Sequence, residues 1–285
     1  MRIAVLTALV MVAFAANSVL NRGALALEEI EPLAFASIRA GSGAVALALL
    51  VLLRDRRLSL SGPFRVAGVL SLSLYMLAFS VAYVALDAGV GALILFGGVQ
   101  VTMFAGAVIG GEKVPMLRWM GAGMAFGGLV WLLWPSGAVR LPVLHGGLML
   151  AAAVGWGIYS LVGRTAGDPL RATAANFILA APLCFAVTAL VALAPVLPDA
   201  VSTSTRGVVL ALVSGVVTSA LGYALWYSVL PRLAASVAAV AQLSVPVIAL
   251  AGGVVFLGEA VTLSFALASV LVLGGVAMSV LAPRG

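Results

Sequence analysis

The chain has 285 residues, 64% of them hydrophobic and only 8% charged. Soluble domains carry roughly 25% charged residues and about half apolar ones, so this composition excludes a water-soluble fold and leaves lipid as the solvent. The net charge of +6 sits in short loops between apolar runs, which is a topology signal and argues against a nucleic-acid partner.

A helical span takes about 20 apolar residues. Apolar runs fall at 3–22, 32–53, 64–86, 90–109, 116–134, 145–163, 172–194, 207–229, 234–256 and 262–282. Backbone polar groups in lipid must be satisfied within the segment, so these runs are helices. The expected fold is an all-α integral membrane protein of ten transmembrane helices.

The first run places Phe14, Asn17, Ser18 and Asn21 at i, i+3, i+4 and i+7, which is one helix face. Its start also reads as a signal peptide, with Arg2, an apolar stretch and Ala13-Phe14-Ala15 as a cleavage site. Continuation of the run to Leu20 and a counterpart from Gly146 to Arg164 favour a true span. The second run holds Arg39 seven residues inside its start, about 10 Å deep at the helical rise. Arg39 either snorkels to the surface or acts as a counter-charge for a carboxylate-bearing solute. The third run stacks Tyr75, Phe79 and Tyr83 at steps of four.

Gln100 lies near the middle of the fourth run. Polar groups inside lipid are costly and usually face the bundle interior. An amide there serves as a solute partner or as a hydrogen bond between helices. The fifth run carries Gly121, Gly127 and Gly128, and the sixth places Trp156, Tyr159, Ser160 and Gly163 on one face. The lone Cys184 lies in the seventh, so no intramolecular disulfide exists. Tyr223, Trp226 and Tyr227 mark the eighth, Gln242 the ninth and Gly274-Gly275 the tenth. Aromatic stripes of this kind serve as packing or as walls of a solute cavity.

A shift of 147 residues places 91–136 on 238–283 and superposes Gly111-Glu112 on Gly258-Glu259, and Gly127-Gly128 on Gly274-Gly275. Under the same shift Phe79 falls on Trp226. Two units follow, 1–136 and 142–285, of five helices each. An odd number of crossings inverts the second unit, and inverted repeats around a midplane site are a transporter architecture. With ten spans, eleven basic residues fall on the side of the termini and three (Arg22, Arg140, Arg206) on the other. The termini are therefore expected in the cytoplasm, in an inner membrane.

Glu31-Pro32-Leu33-Ala34-Phe35 followed by Arg39, the two Gly-Glu junctions and the paired glycines resemble the drug/metabolite transporter superfamily, specifically its ten-helix EamA-type branch. The resemblance spans the whole chain and implies export or exchange of a small metabolite. Short multidrug exporters of that superfamily use an intramembrane glutamate, whereas every Asp and Glu here falls in a loop or at a helix end. A cavity without negative charge disfavours cations, so the expected solute is small and neutral or zwitterionic, amino-acid-like.

Asn17, Ser18, Tyr75, Phe79, Gln100, Trp156, Tyr159, Trp226 and Gln242 are the expected solute contacts, with Arg39 as counter-charge. Glu112 and Glu259 are expected to be structural, each just before a helix start where the dipole favours a carboxylate. The lipid bilayer and the solute are the expected partners, with a homodimer through the fifth or tenth helix, and no cofactor or metal is expected. A membrane-embedded enzyme is the rival reading. It would need several metal ligands or a nucleophile paired with a base, and the single histidine, His145, has no evident partner.

Overall fold

The computed structural model describes residues 2–109, 115–133, 142–163, 167–193, 203–229, 232–233, 241–242 and 244–281. The Gly111-Glu112-Lys113 junction and Arg140 lie outside the described residues. Among those described, regular structure is entirely helical and forms ten helices. They are α1 (Arg2–Leu25), α2 (Pro32–Asp55), α3 (Arg65–Ala82), α4 (Ala88–Ile109) and α5 (Met116–Leu133), then α6 (Val143–Gly163), α7 (Pro169–Ala192), α8 (Thr205–Val229), α9 (Ser244–Leu257) and α10 (Leu263–Leu281). Seven of them, α1 to α4 and α6 to α8, are long and apolar enough to cross a membrane, each with a window of mean hydropathy between 1.5 and 2.3.

The helix starts follow local chemistry. Proline is tolerated in the first turn, where its missing N–H has no partner to lose. Glu31 precedes Pro32 and its carboxylate accepts the Ala34 N–H at 2.6 Å; Asp168 precedes Pro169 and accepts the Arg171 N–H at 2.9 Å. The same acidic cap and proline thus open α2 and α7. In sequence Glu31-Pro32 stands out only as part of a family motif, and neither cap is expected from it. Ser204 caps α8 by accepting the Gly207 N–H at 2.9 Å.

Two features differ from the sequence expectation. The third helix ends at Ala82, leaving Tyr83 at its C-cap. The eighth contains a π-helical stretch over Ser214–Leu221. In the ninth run the described residues 241–242 and Ser244–Leu257 are helical, and the expected start at 234 lies outside the described residues. Hydropathy marks where a chain is apolar, and it is blind to which hydrogen-bond register the backbone adopts there.

Packing joins α2 to α7, α5 to α10, α3 to α6, α4 to α6, α1 to α9, α4 to α9 and α2 to α8. Leu72, Met76, Leu93, Ile94, Met149 and Phe177 are fully buried at these contacts. Leu53, Ile109, Leu193 and Phe256 are 77–86% exposed, and apolar surface in such quantity is stable only against lipid. On α10, a Cβ at Gly275 would stand 2.5 Å from the Ala125 nitrogen of α5. The glycine is what lets these two backbones meet.

Candidate functional site

The polar centre of the bundle is Arg39. It is fully buried and does not snorkel, because α3 and α8 supply the partners that the membrane surface otherwise would. Its Nε donates to Ser219 Oγ at 2.8 Å, and its Nη2 donates to the phenol oxygens of Tyr75 at 3.1 Å and Tyr223 at 2.9 Å. The guanidinium lies over the Tyr75 and Phe79 rings, 5.2 Å and 5.0 Å from their centroids. Nη1 has no hydrogen-bond partner among the described residues. The ion pairs of the described residues lie at the two ends of the bundle, and none reaches Arg39.

The backbone of α8 comes close enough for these contacts because of Gly215, where a Cβ would stand 2.5 Å from the Arg39 carbonyl oxygen. The π-helical stretch then directs Ser214, Thr218 and Ser219 inward, all buried. π-Segments often occur at functional sites. Ser214 and Thr218 donate to Asn17 Oδ1 at 2.6 Å and 2.9 Å, and Asn17 Nδ2 faces the Tyr75 phenol at 3.4 Å. Asn21 extends the network by accepting from Ser80 at 3.0 Å. The hydroxyl stretch of α8 went unnoticed in the sequence, although its spacing of four and five was a readable signal.

Aromatic rings enclose this centre. Trp156 stands 4.6 Å from Tyr223 and 5.0 Å from Tyr75, centroid to centroid. Phe14 packs edge-on against Trp156, Tyr223 and Trp226 at 5.7–5.9 Å, and it stacks on Phe96 at 6.4 Å. The indole Nε1 of Trp156 is buried and, like Arg39 Nη1, has no acceptor among the described residues. Asn17, Tyr75, Phe79, Trp156, Trp226 and Arg39 are therefore gathered in one cluster.

The remaining expected contacts sit at its margins. Ser18 is buried on α1 near the Tyr83 phenol. Tyr159 is buried and stacks between Trp156 at 5.6 Å and Tyr227 at 5.9 Å. Gln100 is half-buried, one turn beyond Phe96, and its Nε2 has no partner among the described residues. Gln242 is buried, and it follows the helical Ala241, while residues 234–240 and 243 lie outside the described residues.

At one end of the bundle, a cavity of about 210 Å³ is lined by Arg65, Asp168, Arg171, Asn176 and Tyr227. Tyr227, Tyr159 and Trp156 form a relay of rings between this cavity and Arg39. Beside it, Arg54 pairs with Asp55 at 2.7 Å and Asp168 at 2.8 Å, and Arg171 pairs with Asp55 at 2.8 Å.

At the other end, Arg22 pairs with Asp87 at 3.3 Å and with Glu259 at 3.6 Å. Glu259 accepts the Ala88 N–H at 2.8 Å and so caps α4. The helix it serves is therefore not α10, which follows it in sequence, because Gly258 at φ +69 turns the loop toward α4. Glu29 pairs there with Arg206 at 3.0 Å and accepts the Ser204 hydroxyl. Among the described residues, no group of three His, Cys, Asp or Glu side chains is arranged to hold a metal ion.

The EamA-like transporter family matches residues 1–134 and again 146–281. The uncharacterized protein PA1977 of Pseudomonas aeruginosa is 44% identical over 284 residues, covering 99% of this chain and 96% of its own. A solved crystal structure of a protein overlays with a TM-score of 0.65 at 22% identity, over 95% of this chain and 96% of that one. This last likeness is one of fold alone.

Proposed function

Because the chain belongs to the EamA-like transporter family, we propose that it is a secondary transporter that exports or exchanges a small metabolite by alternating access around Arg39. The carrying observation is a fully buried guanidinium, bonded to both α3 and α8, with no carboxylate partner among the described residues. A lone buried cation is expensive and marks a solute or ion pathway in membrane proteins.

The helix pairs support the inverted five-helix repeat. Exchanging each helix with the one five positions on converts α3–α6 into α8–α1, α4–α6 into α9–α1 and α3–α7 into α8–α2, and all of these pairs are in contact. The contacts α2–α7, α4–α9 and α5–α10 map onto themselves. Units 1–136 and 142–285 would then rock against each other, with Arg39 of the first unit gripping Ser219 and Tyr223 of the second. Parting the units would open either the end with Arg54 and Asp168 or the end with Arg22 and Glu259.

The proposal extends to an inner membrane with both termini cytoplasmic, and to a solute without net positive charge. It also extends to self-association through the outer face of α5 or α10, where Trp119, Phe126, Trp131, Leu263 and Val270 are exposed. The test is counterflow in liposomes holding the purified protein. Liposomes preloaded with a metabolite mixture should accumulate the labelled component that the protein carries, and empty liposomes should not. Equal uptake with and without protein, for every component, would sink the transporter reading.

A further inference from the structure

We infer that the Arg39 cage binds the carboxylate of a small monocarboxylic acid with an apolar or aromatic body, and that it does not accommodate an ammonium group. The inference rests on the transporter reading for its physiological meaning, although binding itself can be tested without transport.

The cage has surplus donors. Arg39 Nη1 and Trp156 Nε1 are both buried and lack acceptors among the described residues. They belong to one site, because Tyr75 and Tyr223 touch both: each phenol accepts from Arg39 Nη2, and each ring packs on the Trp156 indole. Buried donors are normally satisfied, and two orphans on one charged centre call for an acceptor. Among the described residues the guanidinium charge has no carboxylate to balance it. A carboxylate brings both missing things, a negative charge and oxygens that match the planar arginine fork.

Acceptors, by contrast, are already in use. Both lone-pair directions of Asn17 Oδ1 are taken by Ser214 and Thr218. The Tyr75 phenol oxygen receives from Arg39, Asn17 and Tyr223. The Tyr75 and Phe79 ring faces, which could hold a cation, already carry the guanidinium. An ammonium would therefore meet a like charge, with the Asn17 and Tyr75 oxygens already engaged. Phe14, Phe96, Trp156 and Trp226 supply apolar walls for the rest of the molecule. A plain organic acid thus takes the place of the neutral or zwitterionic solute expected from sequence.

A matched set of ligands tests the inference: 3-phenylpropionate, its amide, the corresponding 3-phenylpropylamine, and phenylalanine. All carry the same body, and isovalerate and indole-3-acetate vary the body on a fixed carboxylate. Melting of the purified protein in nanodiscs should rise with at least one of the acids. It should not move with the amide or the amine, and phenylalanine should act less than 3-phenylpropionate. Arg39→Gln should abolish the shift. Trp156→Phe keeps an aromatic ring and removes the N–H together with the five-membered ring, so acid affinity should fall by at least roughly 5- to 10-fold, the worth of one hydrogen bond.

No shift with any of the acids, an equal shift with amide or amine, or a shift that survives Arg39→Gln overturns the proposal. If Arg39→Gln fails to fold, the ligand series and Trp156→Phe still decide it. An acid that binds but is not moved by proteoliposomes defeats the transporter reading and leaves the carboxylate site standing. Transport of uncharged solutes without acid binding does the reverse.

Discussion

Two arginine environments in this bundle could hardly differ more. Arg54, at the end of α2, is 42% exposed in its side chain and lies 2.7 Å and 2.8 Å from two carboxylates. Arg39, four turns earlier on the same helix, is fully buried and, among the described residues, has only phenols, a serine and ring faces. Exposed pairs contribute little because water and salt screen them. Burying an ion without an opposite charge costs several kcal/mol. Internal carboxylates are thus spent where charge is cheap and withheld where charge is dear, the reverse of what stability alone would favour. The centre is arranged for an anion that arrives from outside the chain.

The largest expected effect follows from that contrast. Arg39→Met keeps an unbranched stem and removes the charge. Replacing a buried charge with a well-packed apolar side chain is often neutral or stabilising, so the melting temperature should hold or rise. Flux of 3-phenylpropionate into proteoliposomes should fall roughly 100-fold, the loss of a charge-assisted anchor of about 3 kcal/mol. A steep drop in melting temperature with flux retained would reverse the assignment and make Arg39 structural.

The helices, their number and the polar face of α1 were legible in the sequence, because apolar runs and periodicity are local properties. Arg39 was legible as lying inside a span, with snorkelling and a counter-charge role both open, but not as the centre of a cage. Its partners Tyr75, Ser219 and Tyr223 lie 36 to 184 residues away, and only the tertiary fold brings α3 and α8 to α2. Nor could Glu259 be read correctly from its neighbours in sequence. Its carboxylate reaches the start of α4, 171 residues away, so a rule about the next helix named the wrong beneficiary.

That long-range cap gives the second expected effect. Glu259→Ala removes the acceptor of the Ala88 N–H and one partner of Arg22. Loss of a helix cap costs about 1–2 kcal/mol, so the protein should melt several degrees lower while still binding 3-phenylpropionate. An unchanged melt would mean that water satisfies the start of α4 equally well. Loss of acid binding would place Glu259 in the site and erase the distinction between ends and centre.

The smallest expected effect is in pH, and it separates two carboxylates at the same end of the bundle. Burial pushes the Glu259 carboxyl above its ordinary value of 4.5, against the opposing pull of the Ala88 N–H and Arg22. The Ser204 hydroxyl, with Arg206 behind it, pulls Glu29 below 4.5. The native state then holds the Glu259 proton more tightly than the unfolded chain does. Its contribution to stability is fully present below pH 4.5 and is lost as pH rises through the elevated value. Glu29 acts in the opposite sense, with a contribution present above pH 4.5 and lost as pH falls through the lowered value. Melts from pH 7 down to about 4.5 should therefore show a small rise that Glu259→Gln flattens, followed below 4.5 by a fall that Glu29→Gln diminishes. Arg39 stays protonated across this whole range, so neither slope should change in Arg39→Met. A slope that vanished with Arg39 would tie the end carboxylates to the centre, and proton movement at Glu259 would then have to be weighed as part of the transport cycle.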